Sequence, residues 1–327
     1  MSAIKRGLVV LLAMGLCLGS LVTALAADEE FPTKPITLVC PYGAGGSTSM
    51  GSRIIAGALG EVLQKPVIVL NKTGAGGTIG AEYVAHSKPD GYTLFVFNSG
   101  SNGVAVATRK VRYKNSDFEL LGQYAEQPMG LVVSAESPWK TLAELVGDIK
   151  KNPGKFTYGT SGIGTSGGFG MELLKMATGN LNINHVPFKS GPEVMAALLG
   201  GHINMSFFYL VDFKGPVQAG RLRLLATAGE KRLEEFPNAP TFTELGYPAI
   251  KMTAWYGVAA PKGIPKDVFN KLKDAFYKAC ATKDVQKMLA KIGYVPLFRT
   301  SEDFSAFVKA EDEKFVRVAK QAKIEIK

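Results

Sequence analysis

Two glycine-rich segments, residues 41–49 and 158–168, each follow a short apolar run and precede a helical pattern. A turn that passes from a strand through glycines to a helix start leaves backbone N–H groups unpaired at the positive end of the helix dipole. Such groups bind carboxylates and phosphates. Because the two turns lie far apart in the sequence, they predict one anionic ligand held between two parts of the molecule.

Catalytic motifs give weaker signals. The sequence Gly164-Thr-Ser-Gly-Gly168 matches the G-x-S-x-G elbow of serine hydrolases, with Ser166 as the nucleophile. The histidines that follow it are His185 and His202, which leaves a short spacing for a triad, and glycine-rich chains match this pattern often. We therefore predict no catalytic residue and keep a serine esterase using Ser166 as the alternative.

Cofactor motifs are incomplete. Residues 162–167 fit G-x-G-x-x-G, but no acidic residue follows about 20 positions later to bind a ribose. No P-loop sequence occurs, and the three histidines have no partners at metal-ligand spacing. We expect neither a cofactor nor a metal.

The N-terminus predicts export. Lys5 and Arg6 precede an apolar run that ends in Ala24-Leu-Ala26, a small-x-small cleavage pattern. We expect a signal peptide over residues 1–26, cleaved near Ala26, and a periplasmic protein. The same run is just long enough for a membrane anchor, but acidic residues follow it and basic ones do not.

Composition is that of a globular protein, with 46% apolar residues, and the length predicts two domains. The formal charge of +10 favours anionic small ligands. Because the basic residues are spread along the chain, we expect no nucleic-acid partner. Cys40 and Cys280 follow the signal segment, and buried free thiols or a disulfide are both open readings.

Strand-like and helix-like patterns alternate and predict an α/β fold. In the first half we expect strands at residues 36–40, 67–70 and 93–97, and an apolar run at 131–133. A capping box of Thr141 and Glu144 marks a helix start. The second half predicts strands at 156–158, 183–186, 205–208 and 222–226, and the tail is helical.

Ordered motifs across nearly all of the mature chain resemble the substrate-binding proteins of tripartite tricarboxylate transporters, the Bug or TctC-like family. They include Asn71-Lys-Thr-Gly-Ala-Gly-Gly-Thr-Ile-Gly-Ala81, Lys88-Pro-Asp-Gly-Tyr-Thr-Leu94, His185-Val-Pro-Phe-Lys189 and Trp255-Tyr-Gly-Val-Ala-Ala-Pro261. The resemblance implies a type II periplasmic binding protein fold, in which two α/β lobes joined by a two-strand hinge close on a small carboxylate. It also implies delivery to the transporter's membrane subunits. We expect a monomer.

From the crossing points expected near residues 127–131 and 252–255, we predict a discontinuous domain I of residues 28–128 plus 255–327. Domain II is then residues 129–254.

The candidate ligand contacts come from the two turns, from strand ends and from the second lobe. They are Tyr42, Gly46, Thr48, Ser49, Asn98, Ser99, Thr160, Ser161, Gly164, Thr165, Ser166, Lys189, Phe208 and Tyr209. Tyr42 stands where the family has an aromatic residue over the ligand. Asn98 and Ser99, at a strand end, are included because ligands bind at the carboxyl edge of open α/β sheets. A helix cap explains each hydroxyl as well as a ligand contact does.

Two departures from the family bear on the ligand. Ser49 and Phe208 stand where the family commonly has aspartates, and the second of these can recognise a ligand ammonium. Its loss argues against an amino acid. The aromatic residues at 207–209 suggest an apolar ligand body, with Phe207 directed into the core because neighbours on a strand point to opposite faces. The expected ligand is a non-amino mono- or dicarboxylate.

Overall fold

The computed structural model describes residues 30–161, 165–229 and 231–321. Residues from Pro35 onward form one compact unit. The predicted signal peptide lies outside the described residues, as does Gly164. Within the described ranges, none of the helices is both long and apolar enough to cross a bilayer.

Strands and helices alternate through most of the chain, as predicted. The strands are β1 (Ile36–Cys40), β2 (Val67–Asn71), β3 (Thr93–Asn98), β4 (Phe118–Ser134), β5 (Thr157–Thr160), β6 (Asn184–Pro187), β7 (Met205–Tyr209), β8 (Leu222–Thr227), β9 (Thr253–Pro261) and β10 (Val295–Arg299). The helices are α1 (Ser47–Leu63), α2 (Thr78–Ala85), α3 (Ala105–Thr108), α4 (Leu142–Lys151), α5 (Ser166–Ala177), α6 (Gly191–Leu199), α7 (Leu210–Gln218), α8 (Lys266–Ala281), α9 (Lys283–Lys291) and α10 (Ser301–Gln321).

Strand pairing divides the protein into two α/β lobes, which confirms the predicted fold class. In the first lobe, β1 lies parallel to β2 and β3, and β9 is antiparallel to β3. In the second lobe, β5 lies parallel to β6 and β7. We use "first lobe" and "second lobe" in this sense, with β10 and the C-terminal helices in the first.

The long strand β4 belongs to both lobes. Over residues 118–128 it pairs with β9, and part of this stretch also pairs with β10. From Met129 to Ser134 it pairs with β7 and β8 instead. The chain returns to the first lobe at the start of β9, where Thr253 pairs with Pro128.

Buried aromatic side chains form the core of the first lobe. Phe97 stacks on Trp255 with ring centroids 5.9 Å apart, and Phe304 meets both rings edge-on. Apolar strands covered on both sides are typical of parallel sheets in α/β proteins, and β1 is buried at four of its five positions.

Cys40 and Cys280 are free, buried thiols, which decides between the two readings left open by the sequence. Burial raises the pKa of both thiols, that of Cys280 to about 12. Both therefore remain protonated and unreactive at neutral pH.

Candidate functional site

The two lobes meet at a small pocket of about 30 Å³, which we call the inner pocket. The first lobe contributes the turn from β1 to α1 and the first turn of that helix. The second lobe contributes Ser161, the turn before α6, and the junction of β7 and α7. The lining residues are Tyr42, Gly43, Gly46, Ser47, Thr48, Ser161, Lys189, Ser190, Gly191, Phe208, Tyr209 and Asp212.

Three helices begin at the inner pocket. They are α1, which follows Gly46, α6, which begins at Gly191, and α7, which follows Tyr209. At each of these described helix starts the N-cap residue makes no side-chain capping hydrogen bond. The first-turn N–H groups and the positive dipole ends attract negative charge, part of which is supplied by Glu193 and Asp212 in the first turns of α6 and α7.

The α6 and α7 starts were not predicted as anion-binding elements. The sequence prediction gave that role in the second lobe to the glycine turn before α5, yet Ser161 is its one described residue in the inner pocket lining. A usable signal was Pro192 directly after Gly191, because proline favours the first turn of a helix.

Half of the predicted contact residues lie at the inner pocket. These are Tyr42, Gly46, Thr48, Ser161, Lys189, Phe208 and Tyr209. Six others, Ser49, Asn98, Ser99, Thr160, Thr165 and Ser166, are buried and do not line it. Gly164 is outside the described residues.

In the first lobe, the polar side chains behind the pocket fix the shape of the glycine turn. The Ser49 hydroxyl accepts hydrogen bonds from Arg53 at 2.6 Å and Asn71 at 2.9 Å. The Asn98 amide oxygen accepts from the backbone N–H groups of Gly100 and Ser101. These side chains act as local braces, which is the alternative that the sequence could not separate from ligand binding.

In the second lobe, the buried hydroxyls likewise have protein partners. Thr160 Oγ1 lies 2.7 Å from His185 Nε2. Ser166 Oγ lies 3.1 Å from Ser99 Oγ, so this hydrogen bond joins the two lobes. Thr165 is the N-cap residue of α5 and is almost fully buried.

These partners also argue against the serine esterase. A serine nucleophile needs a base within hydrogen-bonding distance. The Ser166 hydroxyl is fully buried against Ser99, and Nε2 of His185 is paired with the Thr160 hydroxyl instead. Among the described contacts, serine and histidine do not form a nucleophile–base pair.

Tyr42 forms an aromatic wall of the inner pocket. Its hydroxyl donates to Asn98 Oδ1 at 3.1 Å and lies 3.3 Å from the carbonyl oxygen of Gly76. Burial raises the pKa of Tyr42 well above its usual value, so the phenol is neutral. The ring is held in place through its hydroxyl.

Phe207 and Phe208 separate as strand alternation predicts. Phe208 lines the inner pocket, whereas Phe207 is fully buried and stacks on Phe242 at 5.7 Å. The ring of Phe207 also touches Gly170 of α5, where an added Cβ would lie 2.3 Å from it.

Asp212 is a pocket residue that the sequence analysis missed. It lies in the first turn of α7, and its Oδ2 is 3.5 Å from the Ser47 hydroxyl of the first lobe. Burial raises the pKa of this carboxyl to about 7, although hydrogen bonds from the Ser47 hydroxyl and backbone oppose the shift. Loss of the family aspartate at the position of Phe208 was expected to disfavour an amino acid ligand, but Asp212 supplies an acid to the same pocket.

A larger cavity of about 1530 Å³, which we call the outer cavity, adjoins the inner pocket. Tyr42, Gly43, Ser161, Lys189 and Ser190 line both spaces. The outer cavity adds the aromatic rings of Tyr158, Phe169 and Phe188 and the cations Arg109 and Lys175. Lys175 pairs with Glu172 at 2.8 Å. Apolar walls with a few charged groups are typical of small-molecule sites.

Two lobes around a pocket lined by helix starts define a solute-binding receptor. The family model described as "Tripartite tricarboxylate transporter family receptor" matches residues 52–324, and the chain belongs to this family. A relative from Cupriavidus necator, named "UPF0065 protein in gbd 5'region", is 40% identical over 284 residues, which cover 87% of this chain and 86% of the relative.

Solved structures agree with this family. The periplasmic binding protein BugD is similar with a TM-score of 0.85 and 30% identity, over 91% of this chain and 100% of BugD. The R. palustris protein Rpa4515 with adipate has the same TM-score, identity and coverage. The predicted resemblance is confirmed.

Proposed function

We propose that this protein is an exported receptor that closes on a small carboxylate and delivers it to the membrane subunits of a tripartite tricarboxylate transporter. The observation that carries the proposal is the convergence of α1 from the first lobe with α6 and α7 from the second at one pocket. An anion placed there receives hydrogen bonds from both lobes. Its binding therefore favours the closed arrangement.

The ligand carboxylate binds in the inner pocket. Thr48 and Ser161 offer hydroxyl groups to it, Lys189 offers a positive charge, and the helix starts offer backbone N–H groups. Charge-assisted hydrogen bonds of this kind are stronger than neutral ones. A micromolar dissociation constant needs about 8 kcal/mol, which several such bonds supply.

The ligand body extends from the inner pocket into the outer cavity. Tyr158, Phe169 and Phe188 provide surface for a hydrocarbon chain or an aromatic ring, and Arg109 provides charge for a second carboxylate. Adipate, a dicarboxylate with a flexible chain, accompanies the related R. palustris structure. We therefore place this receptor's ligand among carboxylates with an extended apolar body.

Membership of the family supports the proposed export and the proposed transporter partners. We propose cleavage near Ala26, a periplasmic monomer, and the domain boundaries given above, with domain II at residues 129–254. The mass of the protein purified from the periplasm tests the cleavage site, and light scattering tests the monomer. Loss of carboxylate uptake on deletion of the gene from its host tests the transport role.

A thermal-shift screen of the mature protein over several hundred carboxylates, with adipate included, tests the ligand class. A ligand that binds the folded state alone raises the melting temperature in proportion to the logarithm of its excess over the dissociation constant. We expect a rise with carboxylates and none with matched amides or alcohols. Ser161→Ala weakens the response, whereas Ser305→Ala, at an exposed hydroxyl of α10 outside the lining, keeps it. No response to any carboxylate overturns the proposal.

A further inference from the structure

The inner pocket combines anion-binding helix starts with a carboxylate that has no countercharge. Asp212 makes no ion pair within the described part of the chain, and its described hydrogen bonds come from Ser47. Lys189 lines the same pocket but is not an ion-pair partner of Asp212. A desolvated carboxylate without an opposite charge costs stability, so a group of this kind at a pocket points to a role in binding.

The position of the Asp212 carboxylate shows which groups it can contact. Its Oδ2 lies beside Ser47 and so close to Gly191 that an added Cβ on that glycine would be 2.7 Å away. The Ser47 backbone N–H is a further donor to this carboxylate. Among the described residues, no side chain donates to the other oxygen, Oδ1. Asp212 therefore lies between the α1 start and the α6 start, next to the N–H groups proposed to hold the ligand carboxylate.

We infer that Asp212 is a specificity-determining residue that selects carboxylates bearing a hydrogen-bond donor, a hydroxyl or an ammonium, on the carbon next to the carboxylate. This inference rests on the proposed function. A 2-hydroxy or 2-amino acid carries its acceptor and its donor on adjacent atoms. The carboxylate binds the helix-start N–H groups while the donor reaches Asp212 Oδ1.

The same geometry disfavours other ligands. Above about pH 7, where Asp212 is ionised, a second carboxylate at this position would face it as a like charge. An unsubstituted carbon would leave the Asp212 oxygen desolvated without a ligand partner. The apolar ligand body is unaffected, because it occupies the outer cavity. The selection therefore concerns one substituent only.

Matched ligand series test the inference by calorimetry. One series is adipate, 2-hydroxyadipate and 2-aminoadipate, and the other is 3-phenylpropionate, 3-phenyllactate and phenylalanine. We expect a donor-bearing member to bind at least tenfold more tightly than its unsubstituted parent. Equal or tighter binding of the parent in both series overturns the inference.

Variants separate the two donors and control for structure. Asp212→Ala removes the preference for either donor, whereas Asp212→Asn keeps an acceptor and so preserves part of a hydroxyl preference while losing an ammonium preference. Asp267→Asn, at an exposed acid in the first turn of α8, leaves the ratios unchanged. A preference that persists in Asp212→Ala overturns the inference. Carboxylate binding without any donor preference refutes this inference alone, and absence of all carboxylate binding refutes the proposed function with it.

Discussion

At the scale of single residues, neighbouring hydroxyls of the first glycine turn have different positions and different partners. Thr48 and Ser49 are neighbours in α1, but Thr48 lines the pocket and Ser49 binds Arg53 and Asn71 behind it. Hydroxyl type and position indicated a turn that lines the pocket. They could not give the direction of each side chain, because a cap and a ligand contact need the same chemistry.

Asp212 was missed for a related reason. An acid in the first turn of a helix is an ordinary stabilising feature, so nothing in the sequence pattern distinguished Asp212 from other acids. Its importance comes from two contacts distant in the sequence, the first-lobe Ser47 and the α6 start at Gly191.

The raised pKa of Asp212 predicts how stability depends on pH. The folded state keeps its proton up to about pH 7, whereas the unfolded chain loses it near 3.8. The unfolded state binds fewer protons between these values, so the Asp212 contribution to stability falls as pH rises from about 4 to about 7. The full pKa shift corresponds to a change of about 4 kcal/mol in the free energy of unfolding. Because Asp212 lines the pocket, where its charge is partly screened, we expect about 2 kcal/mol.

Urea unfolding of wild type and Asp212→Asn at pH 4.5 and pH 8 measures this effect. The variant has no titrating group at position 212. The difference in free energy of unfolding, variant minus wild type, therefore rises by about 2 kcal/mol from pH 4.5 to pH 8. Asp312, whose pKa burial raises to about 6, titrates in both proteins and cancels in the comparison. A difference that is constant with pH, or that matches Asp267→Asn, contradicts the assignment.

At the scale of elements, regular strands were predicted closely and irregular ones were not. The prediction for β1 is correct at both ends, because its residues form one unbroken apolar run. For β4 the sequence indicated only residues 131–133, since Gly122, Pro128 and Gly130 interrupt its pattern. The pairing register of β4 shifts near Gly122, where φ is +151°. The partly exposed strand β10 contains Pro296 and was missed.

Helix α5 packs closely on β7, and a glycine makes this possible. A Cβ at Gly170 would lie 2.3 Å from the ring of Phe207, which is itself fixed against Phe242. We expect Gly170→Ala to lower the free energy of unfolding by about 1–3 kcal/mol, as overpacking does. Gly57 of α1 faces open space, so Gly57→Ala is the matched control and raises stability by up to about 1 kcal/mol. Equal effects of the two variants in urea unfolding would contradict this packing argument.

At the scale of the whole molecule, the sequence predicted two lobes and a carboxylate receptor through family motifs. The convergence of α6 and α7 with α1 could not be predicted, because it depends on how β4 and β9 orient the lobes. The contacts between lobes come from residues far apart in sequence. Phe169 of α5, for example, meets Phe315 of α10 with ring centroids 5.1 Å apart.

The Ser99–Ser166 contact offers a direct test of lobe closure. The two hydroxyl oxygens are 3.1 Å apart, so cysteines at both positions come close enough for a disulfide after a small adjustment. We expect Ser99→Cys/Ser166→Cys to cross-link the lobes on oxidation. Cys40 and Cys280 do not compete, because both are buried thiols with a raised pKa.

If the ligand enters only when the lobes open, the oxidised double variant takes up and releases a carboxylate such as adipate far more slowly than the reduced protein. Stopped-flow fluorescence of Trp255, which lies on the return strand β9, follows the exchange, and reductant restores the fast rate. Each single cysteine variant exchanges ligand at the same rate with and without oxidant. Equal rates for the oxidised and reduced double variant, with the cross-link verified by mass, would show that the ligand reaches the inner pocket without separation of the lobes at Ser99 and Ser166.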